Sequence, residues 1–93
     1  MKIKVYLVTA SYYKYNKTLL KKFNSLKREF RNLDFNLLDY DLNKPKVDEI
    51  TQGEAEKLIH TIPSWVILEE KACSILNGDV LIKPIRHFLK ECL

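Results

Sequence analysis

The stretch that most constrains this chain is Thr61-Ile62-Pro63-Ser64-Trp65-Val66-Ile67-Leu68, where a proline heads an unbroken run of bulky and β-branched residues. Such a run reads as a buried strand, and its first position is where a strand tolerates a residue without an N–H. Leu58 and Ile59 close a helix-like stretch before it, and a hairpin and a C-terminal helix follow. An X-Pro bond between a helix and a central strand is a candidate for the cis form. Thr61, Ile62 and Pro63 are therefore read as a cis-proline loop.

The elements before it follow from periodicity. Ile3, Val5 and Leu7 alternate with lysines and Tyr6, and the apolar run continues to Val8, which predicts a strand whose later part is buried on both faces. Thr9 to Asn16 reads as a polar and aromatic loop, with Asn16 as the N-cap of the next helix. Leu19, Phe23, Leu26, Phe30 and Leu33 mark one face of that helix, which is expected to end near Asn32 or Asp34. Phe35, Leu37, Leu38, Tyr40 and Leu42 predict a second strand closed by a turn at Asn43-Lys44-Pro45. Thr51-Gln52-Gly53-Glu54 has capping-box spacing and predicts a short helix through Ala55, Leu58 and Ile59.

After the Trp65–Leu68 strand, Glu69-Glu70-Lys71 is a hairpin turn, and Ala72 to Leu76 returns as a fourth strand. Gly78 suits a positive φ. Pro84 suits the first turn of a helix carrying Ile85, Phe88, Leu89 and Cys92 inward. The order β-α-β-α-β-β-α, with short connections, predicts a single α/β domain over residues 1–93. Its sheet is mixed and four-stranded, with helices on both faces.

Charge is distributed unevenly. From Lys14 to Arg31 the chain carries Lys14, Lys17, Lys21, Lys22, Lys27, Arg28 and Arg31 against Glu29 alone. From Asp34 to Glu56 the balance is acidic, so the molecule is expected to be electrostatically two-sided. Basic helix faces can bind phosphates, but no base-reading motif accompanies this one, so nucleic acid is the less favoured partner. Docking onto an acidic protein surface and a plain solubilising face remain open.

Neither Cys73 and Cys92 nor His60 and His87 have metal-ligand spacing, and no metal or cofactor is expected. The cysteines read as buried, reduced thiols. Asp39 and Asp41 read as the polar face of a strand end, and Trp65 as core. No apolar run is long enough to span a bilayer, and Met1 to Val5 alternates like a strand rather than a signal peptide. The expectation is a cytoplasmic protein.

The element order and the proline opening the third strand resemble the thioredoxin-like superfamily from Lys4 to Leu89. Against the glutaredoxin-like pattern T-x-x-x-C-P-Y-C, this chain reads Thr9-Ala10-Ser11-Tyr12-Tyr13-Lys14-Tyr15-Asn16. The resemblance thus implies that Tyr13, Lys14, Tyr15 and Asn16 occupy the C-x-x-C positions with no sulfur among them. Thiol–disulfide exchange needs a thiolate at the helix N-terminus, which neither a phenol nor an amide supplies.

Several stretches are similar to the KaiB family and the related SasA sensor domain, which also lack the cysteine pair. They are Val5-Tyr6-Leu7-Val8, Lys27-Arg28-Glu29-Phe30, Leu38-Asp39-Tyr40-Asp41-Leu42-Asn43-Lys44-Pro45, Thr61-Ile62-Pro63-Ser64 and Ile75-Leu76-Asn77-Gly78-Asp79-Val80. The chain departs from that family in an insertion between Pro45 and Pro63, in Glu69-Glu70-Lys71, and in Ala10-Ser11.

The likeness implies a redox-inactive protein-binding module of regulatory type, whose partner would be an ATPase or a kinase. Tyr12, Lys14, Lys17 and Lys21 are the expected partner-binding residues. The backbone before the proline is, by the same likeness, open to an extended peptide. Two alternatives stay open: a degenerate glutaredoxin- or thioredoxin-type oxidoreductase or glutathione-binding protein, and a nucleic-acid accessory protein.

Overall fold

Strand β1, Lys4–Thr9, is buried from Val5 onward, because neighbours on both sides and helices on both faces enclose it. The computed structural model describes residues 3–59, 61–69, 73–78 and 82–91. Helix α1 spans Asn16–Glu29, and β2, Asp34–Asp39, runs parallel to β1. Helices α2, Lys44–Ile50, and α3, Ala55–Leu58, precede β3, Ser64–Leu68. Strand β4, Cys73–Asn77, and helix α4, Ile82–Glu91, complete the order. The sheet order is β2-β1-β3-β4, with β3 antiparallel to both of its neighbours. This is the expected mixed four-stranded sheet.

Strand alternation sorts the core into two layers. Val5, Leu7, Phe35, Trp65 and Ile67 meet Leu19, Phe23 and Leu26 of α1 and Ile85 and Leu89 of α4 on one face. Tyr6, Val8 and Val66 meet Val47 and Ile50 of α2, Ala55 of α3 and Ile59 on the other. Trp65 is fully buried, as expected of a core residue, with its ring 6.1 Å from that of Phe23.

Local chemistry corrects several expectations. Helix α1 ends at Glu29: Phe30 makes the last helical bond, to the Leu26 carbonyl, but its backbone leaves the helix at φ −110°, ψ 66°, and Leu33 enters the core from the following turn. Strand β2 stops at Asp39, and residues 40–42 form a turn held by the Asp39 carboxylate. The turn expected at Asn43-Lys44-Pro45 opens an unforeseen helix instead, with proline in its first turn, where a missing N–H costs nothing.

Thr51 is not a capping-box N-cap. It closes α2, its hydroxyl donating to the Val47 carbonyl at 2.8 Å, while Glu54 precedes α3 without a side-chain cap. Gln52 and Gly53, at φ 56° and 80°, reverse the chain between these helices. Gly78 takes the expected positive φ, 87°. Glu70, Lys71 and Ala72 of the hairpin, and His60, Asp79, Val80 and Cys92, lie outside the described residues. Among the described residues no helix is long and apolar enough to cross a membrane.

Candidate functional site

The register Val8↔Ser64 brings the end of β1 beside the start of β3. The loop that follows β1 and the loop that precedes β3 therefore share one end of the molecule. The Ile62–Pro63 bond is cis, Pro63 is fully buried, Ile62 is half-buried and Thr61 is exposed. The Pro63 carbonyl accepts the Gly78 N–H at 2.8 Å, and the Ser64 hydroxyl lies 2.6 Å from the Thr61 carbonyl and 2.8 Å from Asn77 Oδ1. The loop is thus pinned to both β3 and the end of β4.

In the β1–α1 loop, Asn16 is the first residue of α1 rather than its N-cap, a place taken by Tyr15. Its amide is held elsewhere: Oδ1 accepts the Thr9 hydroxyl at 2.8 Å, and Nδ2 donates to the Ala10 carbonyl at 2.7 Å. Tyr13 packs half-buried against the core face that carries Trp65. Tyr12 and Tyr15 are 70% and 53% exposed. Tyr13 and Tyr15 meet edge-to-face with centroids 5.8 Å apart, and Lys14 Nζ lies 5.0 Å from the Tyr15 ring centre, a cation–π distance. One tyrosine anchors the loop and two present it to solvent.

The structure brings Tyr12 to Asn16 and Thr61 to Pro63 to the same end, though on opposite faces of the sheet: Tyr13 packs on the α1/α4 layer and Ile62 on the α2/α3 layer. Lys17 and Lys21 extend from the loop along the exposed side of α1, Lys21 about 7.5 Å beyond Asn16 along the axis.

A cleft of about 300 Å³ opens beside this loop, lined among others by Ala10, Asn16, Leu20, Leu37 and Asp39. Asp39 Oδ2 accepts the Ser11 N–H at 3.1 Å, and its Oδ1 accepts those of Asp41 and Leu42 at 2.9 and 3.0 Å. Asp39 is therefore a clasp between two loops rather than an inert polar strand end. Sequence reasoning missed this cleft, because it counted Leu37 as an ordinary strand residue and Asp39 as an inert strand end. The signal was the acidic alternation Asp39-Tyr40-Asp41 directly before Leu42.

Cys73 corrects the expectation of a buried thiol: the residue is exposed on the outermost strand. Its register partner is Leu68, whereas Asn77 at the other end of β4 pairs with Ser64 beside Pro63. The sulfur is thus roughly 13 Å along the strand from the proline end. Partial burial pushes the Cys73 thiol above its ordinary pKa, and Sγ lies 4.0 Å from the Ile50 carbonyl. Both facts favour the protonated thiol over a nucleophilic thiolate.

No protein-family model matches this chain, and no curated protein matches it. Solved structures do. The Fasciola hepatica thioredoxin superposes with a TM-score of 0.75 at 15% identity, covering 97% of this chain and 80% of that one. The Trypanosoma brucei brucei thioredoxin gives 0.72 at 19% identity, covering 98% and 74%. A protein described as malarial gives 0.77 at 12% identity, covering 98% and 97%. At such identities the likeness shows the fold: the chain has a thioredoxin-like fold.

Proposed function

We propose that this protein is a redox-inactive thioredoxin-like module that works by binding another protein, in a KaiB-like regulatory role. The observation that carries the reading is the loop Tyr12-Tyr13-Lys14-Tyr15-Asn16 beside the cis-proline. There Tyr13 and Asn16 stand where the resemblance places a reactive sulfur pair, and two exposed tyrosines and a lysine, Tyr12, Tyr15 and Lys14, flank them. Tyrosines are enriched in protein interfaces, where they give large contact area at little entropic cost, and lysines beside them steer an oppositely charged partner. Lys17 and Lys21 continue the surface as exposed cations and suit an acidic partner surface, an ATPase or a kinase being the partner type the resemblance implies.

The oxidoreductase alternative draws less support, since Cys73 sits at the wrong end of β4 with its thiol pushed toward the neutral form. The test pairs two assays. Lys17→Glu with Lys21→Glu should reduce capture of a partner ATPase or kinase from the source cell, and the wild-type chain should fail to reduce insulin disulfides. Unchanged capture would remove this surface from consideration. Insulin turnover that disappears in Cys73→Ser would replace the binding reading with an enzymatic one. Capture of nucleic acid that falls steeply with salt would favour the accessory-protein alternative.

A further inference from the structure

The sheet ends on β2 at one edge and on β4 at the other, and the two edges are built differently. The β2 edge is blunted: the strand begins and ends on a carboxylate, Asp34 and Asp39, and Asn43 Oδ1 accepts the Asp39 N–H at 2.9 Å. The β4 edge has no such device. Its residues Cys73-Ser74-Ile75-Leu76-Asn77 include no charge, proline or glycine. Its register with β3 runs unbroken from Leu68↔Cys73 to Ser64↔Asn77, so no bulge turns it aside. Natural edge strands are ordinarily protected by charges, prolines or bulges, because an open ladder is a template for another strand.

The parity of the ladder identifies the open groups. The Gly78 N–H donates to the Pro63 carbonyl at 2.8 Å, so the opposed residues Pro63 and Gly78 are a hydrogen-bonded pair. Hydrogen-bonded and non-hydrogen-bonded pairs alternate along an antiparallel ladder. Leu76 and Ser74 therefore bond inward, to Trp65 and Ile67, while Cys73 and Ile75 turn their N–H and C=O groups away from β3. Among the described residues no strand pairs with that outer side. The Ile75 side chain is half-buried on the α2/α3 layer, and Cys73 is exposed.

We propose that the outer edge of β4 pairs antiparallel with β4 of a second copy of the chain, joining the two sheets into one across a two-fold axis at Ile75. A row of outward N–H and C=O groups calls for an extended chain, since only a strand repeats its own donors and acceptors at that spacing. The β4 strand is itself such a chain: open, uncharged, unbulged, and with its outward groups at matching positions. A second copy therefore supplies the complement at the protein's own concentration. With the axis at Ile75, each Ile75 N–H donates to the Ile75 carbonyl of the other copy, and Cys73 of each stands opposite Asn77 of the other. No like charges meet, and the two Ile75 side chains form a β-branched cross-strand pair. A strand laid antiparallel on itself is two-fold by construction, and the blunted β2 edges left at the two ends stop the joined sheet from growing. The edge uses none of Tyr12, Lys14, Lys17 and Lys21, so it goes beyond the partner-binding corner and does not depend on it.

Sedimentation velocity over a range of concentrations tests it, with circular dichroism to confirm that each variant is folded. The wild-type chain should dimerise reversibly. Ile75→Lys puts two ammonium groups on the axis and should raise the dimer dissociation constant at least about tenfold, whereas Ile75→Val should dimerise like wild type. Cys73→Pro, at the exposed first residue of the strand, removes an outward N–H without touching an inward bond and should also weaken the dimer. Cross-linking reads the register. In a chain carrying Cys73→Ser and Cys92→Ser, Ile75→Cys sets two thiols opposite each other, with Cα atoms about 5.5 Å apart, within disulfide reach. Mild oxidation should then give a covalent dimer, and Leu42→Cys, exposed beyond the opposite edge strand, should not.

A wild-type chain that stays monomeric at every concentration, folded Ile75→Lys and Cys73→Pro chains that dimerise as well as wild type, or an Ile75→Cys chain that cross-links no better than Leu42→Cys would each overturn the pairing. A monomer that takes up an unrelated uncharged peptide in extended form would overturn the second copy as occupant of this edge. Lys17→Glu with Lys21→Glu should lose partner capture and keep the dimer; loss of the dimer in that variant would move the interface to α1 and overturn it.

Discussion

Asp39 offers a sharp quantitative test, because one half-buried carboxylate holds two loops at the proposed binding end. It accepts three backbone N–H bonds: from Asp41 and Leu42 on Oδ1, and from Ser11, 28 residues away in sequence, on Oδ2. All three bonds are solvent-exposed, so their donors can return to water when the carboxylate is removed. Each is then worth roughly 0.5–1 kcal/mol rather than the 1.5–3 of a charged bond in a dry site. Asp39→Ala should therefore cost about 2 kcal/mol.

Asp39→Asn keeps one acceptor oxygen for Asp41 and Leu42 but turns an NH₂ toward the Ser11 N–H, so it should cost about 1 kcal/mol. Asp41→Ala removes a neighbouring exposed charge that accepts no such bond, and should stay within about 0.5 kcal/mol of wild type. Urea unfolding followed by Trp65 fluorescence reads all three, at an unchanged m-value. A loss of about 2 kcal/mol in a domain of this size lowers the melting temperature by about 10 °C. If Asp39→Ala and Asp39→Asn both match Asp41→Ala, the carboxylate is not a clasp and the reasoning fails.

Three further outcomes can be measured in the same way. Leu26, fully buried under the sheet, should cost about 2–5 kcal/mol as Leu26→Ala, whereas Leu42→Ala, 81% exposed, should be near neutral in a dilute monomer; equal effects would contradict the layer assignment. Gly78→Ala should cost about 1–2 kcal/mol from its φ of 87° alone, since the added Cβ would sit an ordinary 3.8 Å from Thr61 Oγ1; Gly78→Asn, which tolerates that backbone better, should cost less in the same urea titration. For Cys73, burial raises the folded thiol's pKa, so the folded state keeps a proton that the unfolded chain loses first. Its contribution to stability is fully present below the ordinary thiol pKa and is lost as pH rises from there through the raised pKa of the folded state. Alkylation at neutral pH should accordingly be slower than for a free thiol, as read by peptide mass spectrometry; alkylation as fast as a free thiol would refute the shift.

Much of the fold was legible in the residues because burial leaves a periodic trace. The stripe Leu19, Phe23, Leu26 and Phe30 and the runs at Val5–Val8 and Trp65–Ile67 specify elements whose apolar faces have one place to go. Where packing does not impose a period, the reading failed. Helix α2 begins at a Lys-Pro pair that is equally good in a turn, and only Val47 and Ile50, seated against Tyr6 and Val8, decide that it is helical. Thr51 satisfies the spacing of a cap, but the carbonyl it actually bonds belongs to the helix before it.

The chemistry at the Tyr12–Asn16 corner was set by residue type alone: phenols, an amine and an amide carry no sulfur, whatever their surroundings. What no one-dimensional reading could supply is adjacency. That Asp39 grips Ser11, that Leu37 shares a cleft with Ser11 and Asn16, and that Cys73 lies at the far end of its strand are consequences of sheet register and loop closure. Periodicity fixes which face of an element is buried, because each residue's solvation is its own property. Which exposed groups become neighbours depends on contacts between residues distant in sequence, and these exist only once the layers have packed.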